Sequence, residues 1–294
     1  GAAQQATEEA ARAFAERIGD DSAVASYSYY VGQGAPRFVL SFDVTFAKSN
    51  YAEFVIVAKD QNARVELTNR VYQLFQQDFA GVRGNIKVLQ SGPPNPYPVM
   101  LRVSGYEHDK VREIAGQVRA AMAANANLTN INCDWDEKSP TIRLQIDQDK
   151  ARVLGVASKD LATSLQSQIS GSPIAEFREN DKTVNTVFRV ANDNHNELSR
   201  IKDMNIHIGS GKYVPLDQIA KITYDAEEGL IWRRDLKPTI TVQANIIPGI
   251  DATGNDIAQK VYDNLADVRA NLPFGYRIEL GGPLEGSDKA RNLL

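Results

Sequence analysis

Few side chains in this sequence combine the types and the spacing that acid–base, nucleophilic or metal chemistry requires. His108, His195 and His207 do not share the spacing of metal ligands. Asp147 and Asp149 could form a pair of acid–base carboxylates, but a helix cap and a favourable first-turn charge account for both. No nucleophile with a base, Walker loop or dinucleotide fingerprint is present in the sequence. The sequence therefore predicts no enzyme, no cofactor and no resident metal ion, with a hydrolase of unrecognised site as the weakest alternative.

Two other groups of reactive side chains have simpler explanations. Cys133 is the single cysteine, so neither an intrachain disulfide nor a thiolate metal cage can form, and we expect it to be a small packing residue. Arg233 and Arg234 beside Asp235 could bind an anion, although an ion pair at a strand edge is the favoured interpretation. Neither group predicts a functional site.

A long loop between two predicted strands, residues 32–51, is a candidate for ligand binding. Three phenylalanines recur in it at a spacing of four: Phe38, Phe42 and Phe46. Even spacing keeps their rings on one face of an extended segment, where they could contact apolar ligands in a cleft. Alternatively, the rings only pack the loop onto the protein. Gly32 and Gly34 are predicted to be hinges or turn residues of this loop.

Composition limits the class of protein. The 294 residues are 43% hydrophobic and 24% charged, which is typical of globular domains, and the length suffices for two or three of them. A net charge of −4 gives no electrostatic footprint for nucleic acid. No stretch approaches the ~18 consecutive apolar residues of a membrane span. We expect a soluble chain that does not bind nucleic acid.

The order of the predicted elements indicates an α+β fold built of ferredoxin-like modules. Strand–helix–strand units at residues 97–135 and 238–280 would pair into one split βαβ sandwich, with an α+β domain inserted between them. The N-terminal segment has the order αββαβ, and its last predicted strand is Asn85–Leu89. It is a split βαβ module without its first, central strand, so we expect the chain to be cut from a longer protein.

The inserted domain opens with a distinctive stretch, IRLQIDQDKARVLGVASKDL, at residues 142–161. Apolar and polar residues alternate through Ile146, as in a half-buried strand. Asp147 then opens a short helical turn, Gly155 stops it, and Ser158 is placed to cap the next helix. The stretch predicts architecture and not chemistry.

Four motifs together resemble one family. They read IDQDKARVLGV at residues 146–156, YVPLDQIAKI at 213–222, WRRDLKPTITVQANI at 232–246 and LPFGYRIELGG at 272–282. In motifs and element order the chain is similar to resistance-nodulation-division efflux transporters of the acriflavine-resistance type. The resemblance is to the periplasmic loop of their C-terminal half, and it covers nearly the whole chain.

This resemblance implies four segments. Residues 1–94 would be a first porter subdomain whose first strand is missing. Residues 95–138 and 228–294 would be the two halves of a second porter subdomain. Residues 139–227 would be the docking subdomain inserted into it.

The resemblance also implies a function. Such transporters are proton-driven, trimeric multidrug pumps, and they pass amphiphilic compounds through an adaptor (membrane fusion) protein to an outer-membrane channel. The chain would then lie on the periplasmic face of the bacterial inner membrane, with the proton-relay residues outside it. Scattered methionines, Met100, Met122 and Met204, argue against the metal-exporting branch. A free-standing periplasmic ligand-binding or scaffold protein is the alternative, and it would contain the missing strand.

The implied substrate route lies between the two porter subdomains. There the family has a loop that separates two drug pockets and moves during transport, and residues 32–51 stand at its place. We expect Ile86, Val88 and the proline-rich linker at residues 93–98 to converge on the same cleft. The linker itself is more simply explained as a semi-rigid connector.

Overall fold

A computed structural model describes residues 3–39, 42, 44–89, 96–135, 138–189, 201–202, 204–208 and 211–285. In chain order its elements are α1 Gln4–Gly19, β1 Val24–Val31, β2 Ala52–Ala58, α2 Gln61–Gln77, β3 Val99–Ser104, α3 His108–Ala123, β4 Leu128–Cys133, β5 Ser139–Ile146, α4 Gln148–Val153, α5 Ser158–Ile169, β6 Ser172–Glu179, β7 Lys182–Phe188, β8 Asn205–Ile208, β9 Lys212–Pro215, α6 Leu216–Ile219, β10 Ala220–Glu227, β11 Arg233–Arg234, β12 Lys237–Ile246, α7 Gly254–Asn264, α8 Ala266–Ala270 and β13 Arg277–Leu280. The α+β class predicted from the sequence is confirmed.

The chain forms two compact units. The first contains residues 1–139 and 228–294, and the second contains residues 140–227. No helix among the described residues is both long and apolar enough to cross a membrane.

The N-terminal module of the first unit packs α1 and α2 against the antiparallel pair β1–β2. Buried residues of α1 recur at helical spacing, and they include Phe14 and Ile18. The Phe14 ring stacks on Phe75 with 5.2 Å between their centroids, within the range of about 4.5–7 Å for aromatic pairs. Asp60 caps α2, because its side chain accepts a hydrogen bond from Ala63 N at 2.8 Å.

The predicted strand Asn85–Leu89 is wrong. The segment carries no strand in the structure, although Ile86 packs against the core of this module. Ile86 and Val88 alternate with polar residues, and this alternation is the sequence pattern of a strand. A strand also needs a neighbouring strand for its backbone hydrogen bonds. Within the described residues, β1 and β2 form a sheet of two strands.

The second module of the first unit is a five-stranded sheet covered by helices. Its strands follow the order β11-β12-β3-β13, and β4 also pairs with β12. Helix α3 buries the predicted apolar face: Val111, Ile114, Ala115, Val118 and Met122. The indole Nε1 of Trp135 donates to Thr239 O at 2.8 Å, which satisfies a buried polar group.

A tight turn joins β11 to β12 through two residues of left-handed conformation. Arg234 pairs with Lys237, and the φ angles of Asp235 and Leu236 are +50° and +65°. These angles belong to a type I′ turn, in which glycine is favoured at such positions because a Cβ is strained there. Leu236 is also 92% exposed, so its side chain gains little from packing.

We expect Leu236→Gly to stabilise the protein by about 0.5–1 kcal/mol, because it removes left-handed strain and loses almost no contact. Leu236→Ala is the matched control, since it removes the exposed side chain but keeps the strained Cβ. Midpoints of urea unfolding measure both. Equal stabilisation by alanine and glycine would show that backbone strain is not the cause.

Among its described residues, the second unit contains three two-stranded sheets with helices α4, α5 and α6. Asp147 caps α4 by accepting from Lys150 N at 3.1 Å, and Gly155 ends the turn at a φ of +72°, both as predicted. The prediction for Ser158 is wrong. The cap position of α5 is Ala157, whose backbone is extended and which offers no side-chain hydrogen bond, while Ser158 is already helical.

Candidate functional site

The loop at residues 32–51 is closed at its base by backbone hydrogen bonds. Gly32 N donates to Tyr51 O at 2.8 Å, and Lys48 N donates to Gly32 O at 2.9 Å. Gly32 has a φ of +79°, a conformation in which glycine avoids the strain of a Cβ. The two ends therefore meet beside the β1–β2 pair and form a compact loop.

The three phenylalanines differ in exposure. Phe42 is 9% exposed, whereas Phe38 and Phe46 are 55% and 70% exposed. The rings of Phe38 and Phe42 touch, with 4.9 Å between their centroids. The structure thus brings two of the rings together, one as an anchor and one as a partly exposed surface, and leaves Phe46 largely in contact with solvent.

Glu53 of β2 lies beneath this loop. Its Oε2 accepts a hydrogen bond from Ala35 N at 2.7 Å. Gly34 leaves no room there, since a Cβ on it would lie 2.9 Å from Glu53 Oε2 and 3.2 Å from Thr45 Cβ. Gly34 therefore allows the close approach of Glu53 and Thr45 in this structure, whatever its part in movement.

Tyr51 connects the same region to the second half of the loop. The Thr45 hydroxyl lies 3.3 Å from the Tyr51 hydroxyl. Burial raises the pKa of Tyr51 to about 12, and the nearby Glu53 carboxylate adds to the rise. The phenol is therefore protonated at neutral pH and can act as a hydrogen-bond donor.

Two further residues predicted to line a cleft are placed differently. Ile86 is half-buried against the core of the N-terminal module, while Val88 is 43% exposed. Just before them, the Oδ1 of Asn85 accepts a hydrogen bond from Asn245 Nδ2 of β12 at 2.9 Å. The first half of the proline-rich linker, residues 93–95, lies outside the described residues.

The remaining reactive side chains have structural surroundings. His108 is half-buried edge-on against Trp135, at 5.9 Å between ring centroids, and His207 is exposed. Burial raises the pKa of the Cys133 thiol, which disfavours a reactive thiolate. Arg234 pairs with Glu285 and not with the adjacent Asp235. His195 lies outside the described residues.

These positions define what the loop can do. Exposed rings held on an anchored loop can contact apolar or aromatic ligands, and they supply no group for covalent chemistry. In the described part of the chain, no three histidine, cysteine, aspartate or glutamate side chains are grouped to hold a metal ion. Two surface cavities of about 330 and 180 Å³ are lined by the second module and not by this loop.

The sequence analysis missed Glu53. A signal was available, because β2 reads AEFVIVA and Glu53 is the one charged residue in that apolar run. A charge within such a strand must find a partner or face water. The identity of the partner, a backbone N–H from a loop 18 residues earlier, could not be read from the pattern.

Curated relatives resemble the chain at low identity. The cobalt-zinc-cadmium resistance protein CzcA of Cupriavidus metallidurans is 20% identical over 259 residues, which cover 84% of this chain and 23% of that protein. The swarming motility protein SwrC of Bacillus subtilis is 20% identical over 265 residues, covering 90% and 24%. The multidrug export protein AcrF of Escherichia coli is 22% identical over 178 residues, covering 60% and 16%. The chain spans about a quarter of the length of the first two relatives.

A solved structure has the same fold. The crystal structure of a heavy metal efflux pump superimposes with a TM-score of 0.78 over 99% of this chain and 30% of that chain, at 18% identity. A model of the AcrB/AcrD/AcrF family matches residues 1–294. The chain therefore belongs to the AcrB/AcrD/AcrF family of resistance-nodulation-division efflux transporters.

Proposed function

We propose that this chain is the periplasmic substrate-binding and docking part of a proton-driven pump that exports amphiphilic drugs. The observation that carries the proposal is the anchored aromatic loop, which exposes Phe38 and Phe46 at 55% and 70%. Aromatic rings adapt to apolar ligands of different shapes because their contacts are broad and non-directional. Family membership supports the efflux function, and the loop supports the class of substrate.

The proposal includes the subdomains and the partners. Residues 1–94 form the first porter subdomain, residues 95–138 and 228–294 the second, and residues 139–227 the docking subdomain. The full-length protein is a homotrimer in the inner membrane, and it works with an adaptor protein and an outer-membrane channel. Membership of the family supports this assembly, and so does the separate compact unit at residues 140–227.

Export of divalent cations is the second candidate. Two observations favour it: relatives from Cupriavidus metallidurans are named for cobalt, zinc, cadmium and nickel resistance, and a structural neighbour is titled a heavy metal efflux pump. Cation transport needs oxygen, nitrogen or sulfur ligands close together. The described residues carry no such group of acidic, histidine and cysteine side chains, which supports drugs over cations for this part of the pump.

Drug and metal tolerance of one strain distinguishes the two candidates. The full-length transporter is expressed in cells lacking their own pumps of this family, together with its adaptor and channel. We expect tolerance to amphiphilic dyes and detergents to rise, and tolerance to cobalt, zinc, cadmium and nickel salts to stay the same. The reverse result would favour cation export. A pump blocked by replacing its membrane carboxylates is the control for abundance.

A further inference from the structure

The carboxylate of Glu53 lies beside both halves of the loop at residues 32–51, here called the aromatic loop. Its first arm contains Gly34 and Ala35, and its second arm contains Thr45 and Tyr51. Ala35 N, in the first arm, donates to Glu53 Oε2 at 2.7 Å. In the second arm, the Thr45 hydroxyl lies 3.3 Å from the Tyr51 hydroxyl. Tyr51 lies close enough to Glu53 for the carboxylate to add to the rise in the pKa of the phenol, whose main cause is burial. Glu53 therefore accepts a hydrogen bond from the beginning of the loop and lies beside the end of it.

Packing brings the two arms together at the same point. Ala35 is 3% exposed, and Gly34 next to it approaches Thr45 so closely that a Cβ would lie 3.3 Å from Thr45 N. The same Cβ would lie 2.9 Å from Glu53 Oε2. A bulkier residue at position 34 would have to displace the carboxylate or the second arm, so the contact leaves no spare space.

The chemistry of the contact favours a strong attachment. A half-buried carboxylate requires hydrogen-bond donors, and both a backbone N–H and a phenol that stays protonated at neutral pH are available. Hydrogen bonds to a charged acceptor are stronger than those between neutral groups. Glu53 also belongs to a paired strand, opposite Tyr30 of β1, so its position is fixed by the sheet.

We propose that Glu53 is a positioning residue that latches the aromatic loop where it presents Phe38 and Phe46 to substrate. This inference rests on the proposed efflux function. With the latch closed, the exposed rings stand at a fixed place above the β1–β2 pair, which favours large apolar compounds that can span them. Without it, the arms separate and the rings lose that arrangement, so discrimination by size decreases.

Hydrogen exchange in the full-length transporter tests the latch itself. We expect the Ala35 amide to exchange at least about tenfold faster in Glu53→Ala, because its acceptor is removed. Glu53→Gln should give a smaller increase, since its amide oxygen still accepts but carries no charge. Glu8→Ala is the matched control, because Glu8 is an exposed residue of α1 that pairs with Arg12 at the surface.

Unchanged exchange at Ala35 in Glu53→Ala would overturn the latch. If the whole N-terminal module opens in that variant, Glu53→Gln decides. In Glu53→Gln the Ala35 amide must exchange faster while the amides of β1 and β2 keep their protection. An equal increase in exchange at Ala35, β1 and β2 would also overturn the latch.

Export measurements test what the latch does. At equal abundance, the ratio of large-apolar to small-polar compound export should fall about threefold or more in Glu53→Ala, on the scale of the cost of ordering one loosened side chain on binding, and stay the same in Glu8→Ala. A loosened loop with an unchanged ratio would contradict the role in selection. A double variant, Phe38→Ala with Phe46→Ala, separates the two ideas. If it also leaves the ratio unchanged, the proposed substrate surface fails, and if it alone lowers the ratio, only the latch fails.

Discussion

Replacing both Phe38 and Phe46 with alanine is expected to lower export of large apolar compounds about tenfold while small polar compounds are affected much less. A fully buried phenylalanine side chain contributes ~1.5–3 kcal/mol, and these rings are 55% and 70% exposed, so substrate would cover only part of each. Two partly covered rings together account for about 1.4 kcal/mol, which corresponds to a tenfold change. Growth in the presence of each compound and dye efflux rates measure the effect.

Phe42→Ala is the matched control within the same loop. Phe42 is 9% exposed and contacts Phe38, so its loss is expected to loosen the loop and, like loss of the Glu53 contact, to lower export of large apolar compounds, but by less than removal of both exposed rings. Membrane abundance must be measured for all variants, because loss of folded protein also lowers export. Equal resistance of the double variant and the unchanged pump at equal abundance would contradict the proposed substrate surface.

The helices were predictable because their signals are local. The buried face of α3 follows directly from apolar residues at helical spacing, and all five predicted positions are buried in the structure. Asp147 is a similar case, since a capping side chain and its backbone partner Lys150 N are three residues apart. The predicted cap at Ser158 was one residue too late, because the cap lies where the extended backbone ends, which is at Ala157.

Pairing between distant segments was much less predictable. The segment Asn85–Leu89 has the alternation of a strand and the burial of Ile86, but nothing in its own residues shows whether a neighbouring strand is available. The strand pair β12–β3 joins residues more than 130 positions apart, and it was inferred through the order of the modules and not from either strand alone.

The candidate site shows the same contrast between local signals and contacts of distant residues. Spacing indicated an aromatic loop, yet the difference between the buried Phe42 and the exposed Phe38 and Phe46 depends on how the loop folds back. The same folding brings Ala35 and Thr45 to Glu53. An extended-strand geometry would have treated the three rings alike, whereas a closed loop gives them separate roles.

Gly105→Ala is expected to destabilise the second module by about 1–3 kcal/mol, as overpacking of a tight site does. Gly105 follows β3, and a Cβ on it would lie 2.1 Å from Cδ1 of Tyr276 and 2.9 Å from Cγ of the same ring. Contact at the base of a ring cannot be relieved by a small rotation. Tyr276 is also held in place, because its hydroxyl accepts from Glu107 N at 3.2 Å and its ring meets Tyr106 edge to face.

A second glycine of the same module supplies the control. Gly116 lies on the exposed side of α3, and a Cβ on it would have nothing within 4 Å. Gly116→Ala should therefore stabilise by about 0.5–1 kcal/mol, because glycine is unfavourable within a helix. Thermal and urea unfolding of the purified protein compare the two variants directly.

A double-mutant cycle then tests the stated cause of the Gly105 effect. Tyr276→Ala alone removes packing and is destabilising, but it also opens the space that a methyl group at position 105 requires. The double variant should consequently be more stable than the sum of the two single effects predicts, by about 1 kcal/mol or more. Additive effects would show that the methyl group does not meet Tyr276, and an unchanged stability of Gly105→Ala would show that the module accommodates it. Gly105 follows β3 and Tyr276 precedes β13, and these two strands pair at that end of the sheet. The cycle therefore measures how strongly the packing between Gly105 and Tyr276 constrains this end of the sheet.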